Sequence, residues 1–307
     1  SRKAVRNFFL HNSVELVGCT LRNTDDCSYA NRESFIGPFR DIVSTIRENT
    51  DAPIVLGGVG FSVMPEHILA STAADYGIWG DGEYALRQLA DRIEKGEPCI
   101  GIENLVWNDN GRMKRNRAGN RPLDSLPLFT RRWVDNARYY TEGAQVGFET
   151  RRGCSGRCIY CADPVAKGDA VRLRDPRAVA EELSNLYTQG IRHFHTCDSE
   201  FNIPPAHAEA VCRAIIDAGL GEKISWYAYC APSPFSESLA AAMRRAGCVG
   251  INFGADSADN TILRRLGRGH TYEDIVRADT ACRRQGIAVM FDLLLGAAGE
   301  TPQSISR

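Results

Sequence analysis

The sequence predicts an α/β protein in two parts, a doubly wound parallel sheet followed by a parallel barrel or part-barrel. Three observations carry this. Residues 14–96 alternate strand and helix three times. Residues 97–145 break the alternation. From residue 146 a second alternation runs through five strand–helix units, with helices ending at Gly190, Gly219, Gly247 and Gly286.

In order, "VELVGCT" (14–20) reads as a buried strand and "FIGPFRDIVSTIRENT" (35–50) has the helical spacing of Phe, Ile and Val. The strand "APIVLGGVG" (52–60) runs into a glycine turn. A helix follows at 65–73, with Pro65 in its first turn. "DYGIWGDGE" (75–83) is a short strand and turn, and 84–96 is an amphipathic helix stopped by Gly96. Ahead of the first strand there is only a short polar lead-in. "NLVWNDNGRMKRNR" (104–117) reads as a hairpin around Asp109–Asn110–Gly111. Its cations Arg112, Lys114, Arg115 and Arg117 are read as a solvated arm and not a nucleic-acid patch, because the chain as a whole is not basic. "RPLDSLPLF" is a proline-punctuated linker. The second series has strands at 146–153, 191–198, 224–230, 249–256 and 288–296, with helices at 176–190, 205–219, 236–247 and 272–286. The domain limits read from this are 1–98, 99–140 for hairpin and linker, and 141–307.

A hydrophobic fraction of 43% and a net charge of −1 describe an ordinary globular chain with no bulk attraction to polyanions. No apolar run approaches the roughly 20 residues that span a bilayer. Eleven cysteines, an odd number without a small disulfide framework, point to a reducing, cytoplasmic setting. Cys99, Cys212, Cys248 and Cys282 read as reduced core thiols. Both ends read as cut: Ser1 is no initiator methionine, and Arg307 falls soon after a helix opens at "TPQSI". The first domain is therefore expected to be incomplete at its N-terminus and the barrel at its C-terminus.

The chemistry concentrates in "ETRRGCSGRCIYCADP" (149–164), where Cys154, Cys158 and Cys161 are spaced C-x3-C-x2-C. Gly153 and Gly156 let this loop curl so that three sulfurs converge. It follows the first strand of the second series, the end of a barrel on which active sites are built. A structural zinc site takes four ligands, often in paired C-x2-C knuckles, and no second knuckle is present. Cysteines are also the ligands of iron–sulfur clusters. Three thiolates on a four-iron cluster leave one iron open.

With Tyr160 just before the last cysteine, this segment resembles the radical S-adenosylmethionine (SAM) superfamily. The resemblance implies a partial (β/α)6 barrel whose Cys154, Cys158 and Cys161 hold a 4Fe-4S cluster. It also implies that the open iron chelates SAM, which the reduced cluster cleaves to a 5′-deoxyadenosyl radical. "FGADSADNTILRRLGRGHTYEDI" (253–275) resembles the family's fourth-strand segment, with Asp256 where a glutamate is usual. Asp256 and Ser257 are then expected at the ribose or amino group of SAM, and Arg268 at its carboxylate. "LLLGAAGET" (293–301) resembles the fifth-strand segment through Gly296, with Ala298 in a proline place. Asp198 and Glu200 in "CDSEFN" stand where the family contacts the SAM amino group.

The first part resembles the Rossmann-like cobalamin-binding domain of one radical SAM class. Cys19, Thr20 and Leu21 stand at its S-x-L place, Arg22 and Asn23 in an "R-N-x-D" variant, Gly57, Gly58 and Val59 at its G-G turn, and Gly82 and Glu83 in its "G-E-G-E" turn. The cobalt-ligating D-x-H-x-x-G motif would lie upstream of Ser1, and His11 stands in no such motif. The resemblance implies a cobalamin-dependent radical SAM enzyme that methylates an unactivated carbon of a small-molecule or peptide substrate. It would draw electrons from a donor such as flavodoxin or ferredoxin, with no membrane or nucleic-acid partner. Some members methylate without radical cleavage of SAM. The alternatives are a methylthiotransferase acting on RNA or protein, with Cys19, Cys27 and Cys99 as poorly spaced ligands for a second cluster, a cyclase or rearrangement enzyme, and a non-catalytic sensor. His193 and His195 share one strand face, as do Tyr227 and Tyr229 on the next. The histidines read as core or supporting groups and the tyrosines as candidate lining of the substrate cavity.

Overall fold

The structure, a computed structural model, describes residues 2–26, 30–119, 121–127, 131 and 133–306. The chain divides into two compact units, residues 1–121 with 165–168, and residues 122–164 with 169–307.

The first unit opens on helix α1 (Arg2–His11), where the sequence reading has a polar lead-in. Val5 and Phe9, four residues apart and so on one helix face, pack against the apolar cluster around α2 (Ile36–Arg47). Its strands β1 (Val17–Thr20), β2 (Ile54–Gly57) and β3 (Tyr76–Ile78) pair in parallel. Two short helices, α3 (Val59–Val63) and α4 (Pro65–Ala70), and the longer α5 (Glu83–Lys95) complete the alternation. The hairpin β4 (Leu105–Asp109) and β5 (Arg112–Arg115) is not a separate arm. It continues the same sheet, antiparallel to β3, in the order β1-β2-β3-β4-β5. Strand alternation explains the layers: Ile54, Leu56 and Val106 enter one apolar cluster with α2 and α4, while Val55, Ile78 and Leu105 enter another with α5. Two of the hairpin cations are engaged within this unit, Lys114 with Asp109 and Arg115 with Glu66, and Arg115 lies 4.6 Å over Trp79.

The second unit contains α6 (Asn136–Thr141), β6 (Val146–Phe148), β7 (Arg151–Arg152), part of α7 (Asp163–Lys167) and β8 (Arg172–Leu173). Then come α8 (Pro176–Thr188), β9 (His193–Thr196), α9 (Pro205–Asp217), β10 (Ser225–Cys230), α10 (Glu237–Arg245) and β11 (Cys248–Asp256). It ends with α11 (Asn260–Arg265), α12 (Tyr272–Arg284), β12 (Ala288–Leu293) and α13 (Pro302–Ile305). Strands β6, β9, β10, β11 and β12 form one all-parallel sheet in that spatial order. Its core is one-sided. Phe148, Phe194, Trp226, Ala228, Ile251 and Phe253 face α8, α9, α10 and α12. The alternate residues Gly147, His195, Tyr227 and Asn252 face the other way, as a barrel wall requires. Trp226 anchors the layer, edge-to-face with Phe148 at 5.9 Å and with Nε1 donating to Ala246 O at 2.8 Å. The four helix-ending glycines have φ of 66–94°, which a left-handed C-terminal turn demands. Cys212, Cys248 and Cys282 are fully buried, whereas Cys99 is only half-buried. No described helix is long and apolar enough to cross a membrane.

Gly58 shows how tightly the first unit is built. Its φ is +101°, and a Cβ there would stand 2.5 Å from Leu21 O. A Cβ on neighbouring Gly57 would meet only Ile78 O, at 3.6 Å. Gly58→Ala is therefore expected to destabilise by about 2 kcal/mol or more, and Gly57→Ala to stay within about 0.5 kcal/mol of the parent. Denaturant unfolding of the two variants compares them directly.

Candidate functional site

The site of the second unit is built from the carboxyl ends of its strands. The chain leaves β6 at Phe148 and is caught by Asp198, just beyond β9. The Asp198 carboxylate accepts from Thr150 N at 2.8 Å, Thr150 Oγ1 at 2.6 Å and Arg151 N at 3.2 Å. Burial pushes this carboxyl up to about 6 against the pull of those donors. His207 Nε2 sits 3.0 Å from Thr150 O, and Cys197 N donates to Phe148 O at 2.8 Å. Arg151 is fully buried and donates from Nη1 to Glu200 O at 2.6 Å and from Nη2 to Gly153 O. The two-stranded pair β7–β8 then closes the base of the cysteine loop. A buried carboxylate underpins this start: Glu182 on α8 is held by Arg174 at 2.8 Å and by Arg131.

The loop is fixed on its far side by the turn after α11. Ile159 N donates to Leu266 O at 3.1 Å. Gly267 has φ +74°, and a Cβ there would fall 2.5 Å from Arg157 O, so only glycine lets the two backbones meet. A Cβ on Gly156 would lie 3.3 Å from Cys154 Sγ and 3.8 Å from Cys158 Sγ, so these sulfurs flank a residue with no side chain. Cys161 N donates to Cys158 O at 3.2 Å. Partial burial, then the charges of Asp163, Cys158 and Cys154, raise the Cys161 thiol, although a backbone hydrogen bond at Asp163 opposes this. Among the described residues, no three His, Cys, Asp or Glu side chains close round one point as a single ion would need. Three thiols on a tight, glycine-relieved loop are donors of the kind that iron–sulfur clusters take.

Around the cysteines lies a buried charge network. Arg268 Nη1 donates to Cys158 Sγ at 3.1 Å, and Nη2 donates to Gly254 O at 2.5 Å. Its Nε stands 3.1 Å from Asp256 Oδ2, close enough for an ion pair although the N–H is not aligned on the oxygen. Glu200 Oε1 is 3.9 Å from the same guanidinium. Tyr160 Oη donates to Asp256 Oδ2 at 2.5 Å, and burial raises its phenol well above the ordinary range. Asp256 sits at φ +61° where β11 is irregular against β12, a left-handed backbone rare for a non-glycine residue. Tyr160, Glu200, Asp256 and Arg268 are thus brought together with Cys158. Asp198 and Ser257 stand behind them: Ser257 is buried, and its Oγ accepts from Asp259 N at 3.1 Å. Gly296 lies in the turn after β12, its N–H donating to the Glu300 carboxylate at 2.7 Å, and no described hydrogen bond or ion pair ties it to the Arg268 network.

Sequence reasoning missed Thr150, Arg151, His207 and Glu182 because each works through backbone or an ion partner far along the chain. The charged "ETRRG" directly after a strand was the available signal. His195 stacks on Tyr227 with centroids 5.7 Å apart, on the sheet face away from the helices.

In the first unit, the residues expected to bind a cofactor lie at one end of the sheet. Cys19 and Thr20 end β1, Gly57 ends β2, Val59 opens α3, and Gly82 and Glu83 begin α5 after β3. Leu21 is buried, and its N–H donates to Gly57 O at 2.9 Å. A Cβ on Gly60 would come within about 3 Å of Arg22 and Asn23 backbone, as Gly58 approaches Leu21, so these glycines serve the chain's own packing. Thr20 stays exposed, and Gly57 is only lightly covered. Burial raises the Cys19 thiol. Cys99 instead packs with Tyr76 in the cluster on the face of the sheet away from Cys19. Cys27 lies outside the described residues.

Glu200 provides a direct check on this electrostatic picture. Burial, offset in part by Arg268 and Arg151, pushes its carboxyl from 4.5 up to about 7. Between those two values the folded chain holds a proton that the unfolded chain has lost. Stability therefore falls as pH rises through that window. In protein prepared without iron or SAM, Glu200→Gln is expected to remove this slope and to stabilise by about 2 kcal/mol at pH 8, with little effect near pH 4. Urea midpoints measured across pH 4–8 would show it; a parallel pH dependence in both proteins would count against the buried carboxylate.

Comparison with known proteins agrees with this geometry. The radical SAM superfamily family model matches residues 148–307, more than half of the chain. A tryptophan 2-C-methyltransferase from Streptomyces laurentii is 32% identical across 99% of this chain and 61% of that protein. An uncharacterized methyltransferase from Pyrococcus horikoshii is 29% identical across 86% and 58%. Among solved structures, the radical SAM methyltransferase TsrM from Kitasatospora setae, with cobalamin and a [4Fe-4S] cluster bound, superimposes with a TM-score of 0.90. It is 34% identical over 99% of this chain and 62% of that one. The cobalamin-dependent radical enzyme OxsB shares the fold at a TM-score of 0.81, with 18% identity over the whole of this chain and 44% of its own. The chain spans about three-fifths of the length of the first two of these relatives and of TsrM. A loop that gathers Cys154, Cys158 and Cys161 at the end of the first strand of a parallel sheet, inside a family match over 148–307, places the chain in the radical SAM superfamily.

Proposed function

We propose that this chain is the cobalamin-binding and radical SAM part of an enzyme that transfers a methyl group to carbon of a small molecule or peptide. In this reading residues 141–307 form the partial (β/α)6 barrel and residues 1–98 the Rossmann-like cobalamin domain. The carrying observation is the Cys154–Cys158–Cys161 loop with Arg268 against Cys158, in a chain 34% identical to a structure holding cobalamin and a [4Fe-4S] cluster. When bound, the three groups supply an electron, a methyl source and a methyl carrier.

The residues fit these groups. Cys154, Cys158 and Cys161 hold the cluster, and Gly156 leaves room between two of the sulfurs. Glu200 and Asp256 offer carboxylates for the SAM amino group, beside the cluster loop. Asp198 supports them by fixing Thr150 and Arg151. Tyr160 holds one oxygen of Asp256, which orients the other. Ser257 and Gly296 complete the strand ends around that position. Thr20, Gly57 and Gly82, at the carboxyl ends of three parallel strands, present exposed hydroxyl and lightly covered backbone to the corrin side chains. Leu21 to Asn23, Gly58 and Val59 shape that edge, with Cys19 and Glu83 at its margins. The relative named for tryptophan favours a small-molecule substrate. An external donor such as flavodoxin or ferredoxin would reduce the cluster. Methylthiotransfer is disfavoured because Cys19 and Cys99 pack against the apolar clusters on opposite faces of the first sheet.

Anaerobic purification with iron, sulfide and corrin analysis tests the reading. One [4Fe-4S] cluster, lost in Cys158→Ala, together with bound corrin and transfer of label from methyl-labelled SAM, is the expected result. Failure of the full-length protein to retain corrin removes the cobalamin half, and a second cluster redirects the reading to methylthiotransfer.

A further inference from the structure

We infer that Arg268 tunes the reduction potential of the cluster held by Cys154, Cys158 and Cys161, raising it through the contact of its Nη1 with the Cys158 sulfur. The inference rests on the cluster reading above. Its geometric basis is that the guanidinium is held on several sides. Nη1 is 3.1 Å from Cys158 Sγ, Nη2 donates to Gly254 O at 2.5 Å, and Nε lies 3.1 Å from Asp256 Oδ2. The side chain is only 9% exposed. Its backbone is fixed as well, with Arg268 N donating to Leu263 O at 2.9 Å, one turn from the Leu266 carbonyl that accepts from Ile159. Both partners of the N–H···S contact are therefore tied to one another through backbone.

The direction follows from charge. One-electron reduction adds a negative charge that is shared by the cluster and its thiolate sulfurs. A cationic N–H donor at a ligating sulfur interacts more strongly with the reduced form, so it favours reduction. Asp256 does not cancel this, because it sits on the Nε side of the guanidinium while Nη1 faces the sulfur. The pair acts as a fixed dipole with its positive end on Cys158. The planar fork matters: it lets one side chain hold Gly254 O and Asp256 while it points a third donor at sulfur, which a lysine ammonium on a flexible stem does not reproduce. The arrangement places Nη1 of Arg268 against the cysteine loop.

The test is an EPR-monitored redox titration of the full chain and its variants, each with iron and sulfide measured first. Arg268→Gln with an unchanged cluster is expected to titrate at a more negative midpoint. At a fixed poise its reduced-to-oxidised ratio should fall about tenfold, equivalent to about 59 mV for a one-electron couple. Arg268→Lys should fall between it and the parent. If Arg268→Gln loses its cluster because Asp256 is left unpaired, the Asp256→Asn/Arg268→Gln protein carries the test and should titrate below Asp256→Asn alone. A full cluster with an unmoved or more positive midpoint overturns the tuning role and leaves the cluster reading standing. Loss of cluster from both Arg268 proteins overturns it too, because Arg268 would then be holding the loop in place. A parent chain with no cluster overturns the reading beneath it, and the iron analysis shows that before any titration.

Discussion

The site depends first on one buried carboxylate. Asp198 takes two backbone N–H groups and one hydroxyl from Thr150 and Arg151, where the chain passes from β6 into the cysteine loop. A carboxylate that is removed from water must be repaid in hydrogen bonds, and here the donors are the backbone whose position has to be fixed. Because Asp198 follows β9, the first strand, the second strand and the cysteine loop are located together. Asn202 extends the same logic to the next strand, bonding Ala231 O, Pro234 O and Ala231 N.

On this fixed base the site must hold like charges close together. The carboxylates Glu200 and Asp256 and the three thiols, which lose their protons when they bind iron, share a small, partly buried volume, an arrangement that is unfavourable unless cations accompany it. Arg151 and Arg268 are those cations. Each is buried and each also donates to main-chain carbonyls, so the positive charge cannot swing away to solvent. Glu200 is left under-compensated, which is why burial prevails over both arginines and its carboxyl rises to about 7. Unrelieved electrostatic cost of this kind is what binding sites carry before their ligand arrives.

The alternation of elements was legible because each strand and helix carries its own periodicity and the helices stop at glycines that the αL turn requires. The cysteine loop was legible because its spacing is local. What was hidden is non-local. Helix α1 forms because Val5 and Phe9 find the α2 cluster, a contact that no short window contains. The 104–117 hairpin reads as an arm until β3 offers it an edge. Thr150, His207 and Glu182 show no motif, since Asp198, Thr150 and Arg131, a partner of each in turn, lie 48, 57 and 51 residues away. The residues that resemblance picked out divide in the same way. Tyr160, Glu200, Asp256 and Arg268 converge on the cysteines, whereas Asp198 and Ser257 face inward.

The glycines of the first unit sharpen this distinction between ligand and scaffold. A paired glycine at a strand end invites the reading that a ligand must approach the backbone there. For Gly58 and Gly60 the space is already taken by the chain itself, by Leu21, Arg22 and Asn23. Their role is to press the loop after β1 against the start of α3, which holds the sheet's carboxyl edge in one shape. Gly57, by contrast, has only Ile78 O at van der Waals distance. If a corrin nucleotide lies along this edge, it meets Gly57 and Thr20 directly, and Gly58 acts only by keeping those two in register. The distances to the surrounding backbone separate the two adjacent glycines: Gly58 is taken up by the chain's own packing, and Gly57 is the one left open.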